Sequence, residues 1–267
     1  MKKNLILMVC LCLSTLVFAG PGLKLTAENR TGSSDEAALS TIYINDNQMV
    51  MKTEQNGDFT MMFDATKEEI IIVDHKKRQY SKMGKTELTE LSNQLEQMKG
   101  IIKTFYKNMP AETQKKFAPL VNGKDQNITF NSKGTDKVNG WNTTKYEVAG
   151  GDNKTLYDLN IAEFSTLGIE KSDVAAIRKL SLMLEKYLSG IESFIPGASI
   201  FSNLNNDNNP MFTKGIPVKT VSYEANGSVG DQFVVTKAEK SDFDLDDFTI
   251  PSKYKEVKIN LENPMQK

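Results

Sequence analysis

The stretch that most constrains the fold is Thr41–Met83, where short apolar alternations are separated by turn-forming residues. Side chains of a strand point alternately to the two faces of a sheet, so apolar residues two apart share a face. Met49 and Met51 show this spacing, and so does the run Phe59, Met61, Phe63. Asn56-Gly57 lies between them and is the dipeptide most typical of a two-residue hairpin turn. The stretch therefore predicts a run of antiparallel strands joined by tight turns.

The run Ile70–Val73 within this stretch is continuously apolar and β-branched. Such a run is typical of a strand that is covered on both faces, whereas a half-exposed strand alternates. The polar turns Asp64–Lys67 and Asp74–Lys77 flank it, and Gln79–Met83 is predicted as the next strand.

Two later segments have the helical period of three and four residues. Their apolar stripes are Leu88, Leu91, Leu95, Met98, Ile102, Phe105 and Met109, and Val174, Ile177, Leu180, Leu184, Tyr187, Ile191 and Phe194. Thr86 and Ser172 are the predicted N-caps of these helices.

The remaining alternating segments place strands before, between and after the helices. They lie near 23–27, 128–130, 141–148, 155–161, 216–224 and 231–240. Each helix has one apolar face that must cover other elements. The predicted fold class is α+β: a curved antiparallel sheet, open like half a barrel, covered by two long amphipathic helices.

The N-terminus has the pattern of a secretory signal. Lys2 and Lys3 precede the apolar run Leu5–Phe18, and the small residue Ala19 ends a cleavage motif. We expect export and cleavage after Ala19, residues 1–19 being a signal peptide and residues 20–267 a single domain. The predicted location is periplasmic or secreted.

Cys10 and Cys12 both lie in the predicted signal, so the mature chain is expected to have no disulfide or thiolate site. A lipoprotein would need a cysteine after a small residue, but Val9 and Leu11 precede these two. No later stretch is apolar enough for a transmembrane helix. With 33 basic and 34 acidic residues, the chain has no overall attraction to nucleic acid.

Catalytic signatures are absent from the sequence, which has no nucleophile elbow, P-loop, dinucleotide fingerprint or zinc-protease motif. The single histidine, His75, lies in a charged turn and is predicted to be an exposed turn residue. The acidic run Asp242–Asp247 lacks the glycine and the terminal glutamate of a calcium loop. We expect no enzyme activity, no metal and no cofactor.

Several short motifs together resemble a known family. They are Asp64-Ala-Thr-Lys67, Asp74-His-Lys76 with Tyr80, Gly215-Ile-Pro-Val-Lys219, and Phe248-x-Ile-Pro-x-x-Tyr254. With the export signal and the helices inserted between strands, the chain resembles the LolA/LolB-like superfamily of bacterial lipoprotein carriers, and within it an exported family of unknown function. The resemblance implies a half-barrel with an apolar cavity under the helices that holds acyl chains.

The methionines and the helix stripes give a candidate ligand site, because methionine lines surfaces that accept varied apolar partners. The predicted lining is Met49, Met51, Phe59, Met61, Phe63, Leu95, Met98, Ile102, Leu180 and Leu184. The expected function is non-enzymatic binding or carriage of a lipid, a lipidated peptide or another apolar ligand. The alternative is a structural or protein-interaction component of the cell envelope, with a filled core and an envelope protein as partner.

Overall fold

The fold is built on one open sheet of twelve strands. The computed structural model describes residues 21–32, 34, 36–54, 59–114, 128–150, 154–188, 209–224, 226–242 and 248–258. The predicted signal peptide, the Asn56-Gly57 turn and residues 243–247 of the acidic run lie outside the described residues. Among the described residues, no helix is both long and apolar enough to cross a membrane.

The strands agree with the alternating segments of the sequence, except that the strand Thr129–Val138 extends well beyond the predicted 128–130 and that the strand Lys255–Glu256 was not predicted. The first six are β1 Pro21–Arg30, β2 Ala38–Ile44, β3 Gln48–Thr53, β4 Phe59–Asp64, β5 Glu69–Asp74 and β6 Gln79–Met83. The others are β7 Thr129–Val138, β8 Trp141–Ala149, β9 Thr155–Glu163, β10 Gly215–Tyr223, β11 Val229–Asp242 and β12 Lys255–Glu256.

The order across the sheet is β12-β6-β5-β4-β3-β2-β1-β11-β10-β9-β8-β7. Every neighbouring pair is antiparallel except β12, which pairs in parallel with β6. The meander β2–β6 therefore forms one half of the sheet, β7–β11 forms the other, and β1 joins them.

Two long helices interrupt the strands, as predicted. Helix α1 spans Lys85–Phe105 and continues as a 3₁₀ turn, Tyr106–Asn108, so the regular helix is shorter than the stripe that reaches Met109. Helix α2 spans Ala175–Leu188 after a 3₁₀ turn, Lys171–Val174. Ile191 and Phe194 of the second stripe lie outside the described residues.

The predicted N-caps were wrong by a few residues. Helix α1 begins after Gly84, whose N–H donates to Oε2 of Glu87 at 2.9 Å, so Thr86 already lies in the first turn. Before α2, Asp173 Oδ2 accepts the N–H of Glu170 at 2.8 Å. In both cases an acidic side chain in the first turn accepts a hydrogen bond from the backbone N–H that precedes the helix. The predictions assumed instead that a serine or threonine side chain caps the helix.

The main core lies between α2 and one face of the sheet. Its fully buried members are Leu23, Ala27, Ile44, Phe63, Leu88, Ala162, Val174, Ala176, Ile216, Val218 and Val235. A second cluster lies on β8 and β9 and consists of Tyr146, Val148, Leu159 and Ile161 with Met211. We call the face of β2–β5 that carries Ile44, Met49, Phe63 and Ile70 the inner face, and the opposite one the outer face.

The strand Ile70–Val73 is covered on both faces, which confirms its prediction. Ile70 and Ile72 belong to the main core on the inner face, and Val73 and Ile71 pack in a separate cluster on the outer face. The two faces of this strand are therefore covered by different parts of the chain.

Candidate functional site

The strand residues of the predicted ligand site share one face. In the register of β3 with β4, Met49 lies opposite Phe63, and Met51 lies opposite Met61. Phe59 continues the same face of β4. On β5 the facing residues are Ile70, opposite Phe63, and Ile72, opposite Met61. The structure thus brings the five predicted strand residues together on the inner face.

One end of this face is filled. Met49 and Phe63 are 7% and 1% exposed, and both pack in the main core with Met183 of α2. At this end side chains of α2 pack directly against Met49 and Phe63, so a long acyl chain would have to displace them.

Helix α2 is fixed over the filled end by polar contacts with two turns. The N–H of Ala176 donates to the carbonyl of Asn45 at 3.2 Å, and Lys179 Nζ donates to Asp46 O at 2.8 Å. At the other turn, the Tyr187 hydroxyl donates to Glu68 Oε2 at 2.7 Å, and Lys186 Nζ lies 3.1 Å from Glu68 Oε1.

These contacts also change the charge states at the second turn. The hydrogen bonds from Tyr187 and then Lys186 hold the pKa of Glu68 below its usual value. The hydrogen bonds with Tyr187 and Glu68 raise the pKa of Lys186. The pair therefore stays ionised around neutral pH and holds α2 against the turn between β4 and β5.

The opposite end of the inner face is open. Met51, Met61 and Ile72 are only partly buried, and Phe59 is 44% exposed. Along β4 the exposure therefore rises from Phe63 under α2 to Phe59 at the far end. The result is an apolar surface, two to three strands wide, that is sealed at one end and accessible at the other.

The predicted helix residues divide into two groups. Leu180 and Leu184 of α2 pack against the main core beside Met49 and Phe63. Among the described residues, Leu95, Met98 and Ile102 of α1 are not members of that cluster, although Leu95 and Ile102 are buried. The structure thus unites seven of the ten predicted residues on the inner face and α2, and leaves the three from α1 outside the main core cluster.

The far half of α1 also exposes apolar side chains. Ile101 and Phe105 lie one turn apart and are 52% and 58% exposed. Phe105 belongs to the helix stripe that the sequence predicted to be buried in full, whereas Ile101 lies outside that stripe.

A small cleft lies beside the filled end, with a volume of about 230 Å³. Its walls are Phe63, Ala65, Glu68, Lys179, Leu182, Met183 and Lys186. Of the ten predicted residues only Phe63 lines it. The mixture of apolar walls and two lysines suits a small amphipathic group better than a long acyl chain.

A second cleft of about 230 Å³ lies between β6, the start of α1 and the chain after β12. Met83, Leu91 and Val257 supply its apolar lining, and Glu90 and Glu256 are among its charged residues. The sequence carries no signal for this cleft because β12 has only two residues and no alternating pattern.

The buried cluster on the outer face of the meander was not predicted from the sequence. Val50, Met62 and Val73 form a buried cluster there, covered by Phe248 and the residues after it in the chain. Because side chains alternate along a strand, placing Met49, Met61 and Ile72 on the inner face places their neighbours Val50, Met62 and Val73 on the outer face. This alternation could have predicted an apolar cluster there.

His75 lies in a turn, as predicted, but the prediction that it is exposed was wrong. Its ring is partly buried, with Nε2 2.9 Å from the Thr60 hydroxyl and Nδ1 3.1 Å from the Tyr254 hydroxyl. His75 therefore connects the meander to the C-terminal part of the chain, because Thr60 lies on β4 and Tyr254 lies near the C-terminal end.

No group of three or more His, Cys, Asp or Glu side chains within the described parts of the chain is arranged to hold a metal ion. The partners of His75 are two hydroxyl groups and no carboxylate, so the described contacts do not form the hydrogen-bonded nucleophile, base and carboxylate of a triad.

Comparison with known proteins gives distant similarities of fold. No protein-family model matches the chain, and no curated protein matches it. An uncharacterized conserved protein from Thermus thermophilus has a TM-score of 0.47 and 8% identity, over 90% of this chain and 91% of that one.

Two other solved structures are similar at the same level. The Pseudomonas aeruginosa MucA/MucB complex gives a TM-score of 0.39 and 9% identity, over 88% of this chain and 58% of the matched chain. PNGF-II gives a TM-score of 0.40 and 12% identity, over 91% of this chain and 31% of that one. The similarity concerns the fold alone, so the functions proposed below rest on this chain's own contacts.

Proposed function

We propose that the chain is a non-enzymatic exported protein that binds an apolar ligand, such as a lipid or a lipidated peptide, on the open end of the inner face. The observation that carries the proposal is the gradient of exposure along β4, from Phe63 at 1% to Phe59 at 44%, across a face without charged side chains between them. An apolar surface of this kind, walled at one end, favours burial of an elongated apolar group.

The side chains at the open end suit a ligand of variable shape. Met51 and Met61 lie opposite each other on neighbouring strands, and Ile72 extends the row onto β5. Methionine has three rotatable bonds and a polarizable sulfur, so this row of side chains adapts to apolar ligands of different shapes. Each square ångström of apolar surface removed from water contributes about 25 cal/mol, less the cost of ordering the ligand.

A second candidate function is an interaction component of the envelope with a filled core. The filled end favours it, because Ile44, Met49 and Phe63 belong to one buried cluster with Met183 of α2, and the cleft beside Phe63 has a volume of only about 230 Å³. This candidate requires that the open end be a surface for a protein partner and not for a lipid.

Binding of an apolar fluorescent probe, measured by titration, distinguishes the two. We expect saturable binding to the wild-type protein and a loss of affinity of about tenfold or more in Met61→Trp, because the indole fills the open row. Ile71→Trp is the matched control, since Ile71 is also partly buried but packs on the outer face. Its affinity for the probe should equal that of the wild type.

The ligand-binding function is contradicted if the folded wild-type protein binds no probe and Met61→Trp unfolds. Both results together describe a filled core and favour the second candidate. Circular dichroism of each variant shows whether it is folded.

A further inference from the structure

The outer face of the meander is covered by a segment from the far end of the chain. Val50 and Val73 are fully buried and Met62 is nearly so, on the face opposite α2. We call residues 248–258 the strap. Its apolar residues Phe248, Ile250 and Tyr254 pack on this cluster, and each remains partly buried. The strap is therefore a surface layer and not a core element.

The strap also supplies the last strand of the sheet. In β12, Lys255 pairs with Gln79 and Glu256 pairs with Tyr80, in parallel. Two backbone hydrogen bonds hold it, from Lys255 N–H to Arg78 O at 3.0 Å and from Val257 N–H to Tyr80 O at 2.8 Å. Within its described residues, the strap pairs with only two of the five residues of β6.

The strap makes a partly buried side-chain contact between the Tyr254 hydroxyl and Nδ1 of His75 at 3.1 Å, and its side-chain contacts through Glu256 lie at the surface. The Tyr80 hydroxyl donates to Glu256 Oε2 at 2.9 Å, and Lys82 Nζ lies 3.7 Å from the same carboxylate, whose side chain is 54% exposed. Exposed ion pairs contribute little to stability. A segment that is held by a two-residue strand pairing and by mostly exposed polar contacts opens locally at a smaller cost than global unfolding.

Opening of the strap would uncover two features that bind extended peptides. One is the free edge of β6, whose unpaired backbone groups accept another strand. The other is the apolar cluster of Val50, Met62 and Val73. The cleft lined by Met83, Leu91 and Val257 adjoins this edge, so there is room for a segment to continue past Val257.

We propose that the outer face and the β6 edge form a binding site for an extended segment of a second protein, and that the strap occupies this site as a resident competitor. The strap itself defines the chemistry of that partner segment. The segment runs parallel to β6, places apolar or aromatic side chains with the spacing of Phe248, Ile250 and Tyr254, and follows them with an acidic residue that meets Tyr80 and Lys82. The site is separate from the inner face, so it is independent of the ligand function proposed above.

A labelled peptide with the sequence of residues 248–258 tests the proposal. Its binding to the full chain is measured by fluorescence anisotropy. The variant Ile250→Asp weakens the resident strap, so we expect it to bind the peptide about tenfold or more tightly than the wild type does. The same peptide carrying aspartate in place of Ile250 should bind neither protein.

Val229→Asp is the matched control variant, because Val229 is an exposed apolar residue on β11, away from the site. Its affinity for the peptide should equal that of the wild type. A folded Ile250→Asp protein that binds the peptide no better than the wild type overturns the proposal.

Hydrogen exchange of the wild-type chain provides a second test that needs no variant. We expect the amides of Lys255 and Val257 to exchange about 100-fold faster than that of Val73 in β5, because the strap opens without unfolding of the sheet. Equal protection of these amides would mean that the strap leaves only when the whole protein unfolds, and this too overturns the proposal.

Discussion

At Gly215 the neighbouring backbone leaves no room for a side chain. A Cβ added there would overlap the carbonyl of Ala162 and lie 2.7 Å from its carbon and 2.9 Å from Cα of Glu163. The strands β9 and β10 pair at this point, and the Gly215 carbonyl accepts the N–H of Phe212 at 2.7 Å. The glycine of the motif Gly215–Lys219 is thus required by close approach of two backbones.

We predict that Gly215→Ala lowers the free energy of unfolding by about 2–3 kcal/mol, because the strands must separate to accept the methyl group. Urea denaturation followed by circular dichroism measures it. Gly100→Ala is the control: it lies in α1 with nothing within 4 Å of an added Cβ. Alanine should there raise stability by about 1 kcal/mol. Similar effects of the two substitutions would contradict the prediction.

At the scale of elements, the turn Asp64–Lys67 shows how a local motif fixes a hairpin. Asp64 Oδ1 accepts the backbone N–H and the hydroxyl of Thr66 at 2.9 and 2.6 Å. Burial alone would raise the pKa of Asp64, but the hydrogen bonds from Thr66 and Lys67 outweigh it and the pKa lies below its usual value of 3.8. A carboxyl group with a lowered pKa stabilises the fold above about 3.8 and loses that contribution as the pH falls through the lowered value.

Asp64→Asn should therefore lower the free energy of unfolding by roughly 1 kcal/mol at pH 7, where the carboxylate is ionised. The difference from wild type should shrink as the pH falls below about 3.8. Urea denaturation at pH 7 and pH 3 measures both. Lys67→Gln removes only an exposed ion pair and should change stability less at either pH. A difference that stays constant with pH would contradict the assigned role of the charge.

The sequence was informative about elements and uninformative about what covers them. The meander was predictable because alternation and turn residues are local signals, and β2–β6 agree with it. The outer cover was not, because β12 is too short for a pattern and its partner β6 lies far away in the chain. The candidate site shows the same division: Met51 and Met61 were placed correctly by alternation, whereas the position of Leu95 depends on where α1 packs.

At the scale of the whole molecule, the pairing of β1 with β11, which are far apart in sequence, joins the two halves of the sheet. Strand β1 pairs with β11 from Pro21 opposite Asp242 to Arg30 opposite Gln232. The register skips Thr236, so β11 carries a bulge at this point. Bulges bend a strand and increase its twist. Near the bulge, the side chain of Asn139, in the turn between β7 and β8, donates to Val235 O at 2.6 Å.

This contact spans the width of β9 and β10, so it is made only because that half of the sheet curls over. Val138 and Trp141, which flank the turn, accordingly pack in the main core with Val235. Asn139 itself has a φ of 47°, in the left-handed region that asparagine tolerates better than most residues. The residue thus serves both the turn and the curvature of the sheet.

We predict that Asn139→Ala lowers the free energy of unfolding by about 1–3 kcal/mol, since it removes a hydrogen bond and strains the turn. Asn139→Gly removes the same hydrogen bond but adopts positive φ without strain, so it should cost about 1 kcal/mol less. Thermal and urea denaturation of the two variants separate these contributions. Equal losses would show that the turn is unstrained, and no loss in either variant would show that the curl of β7–β11 does not depend on the contact with Val235.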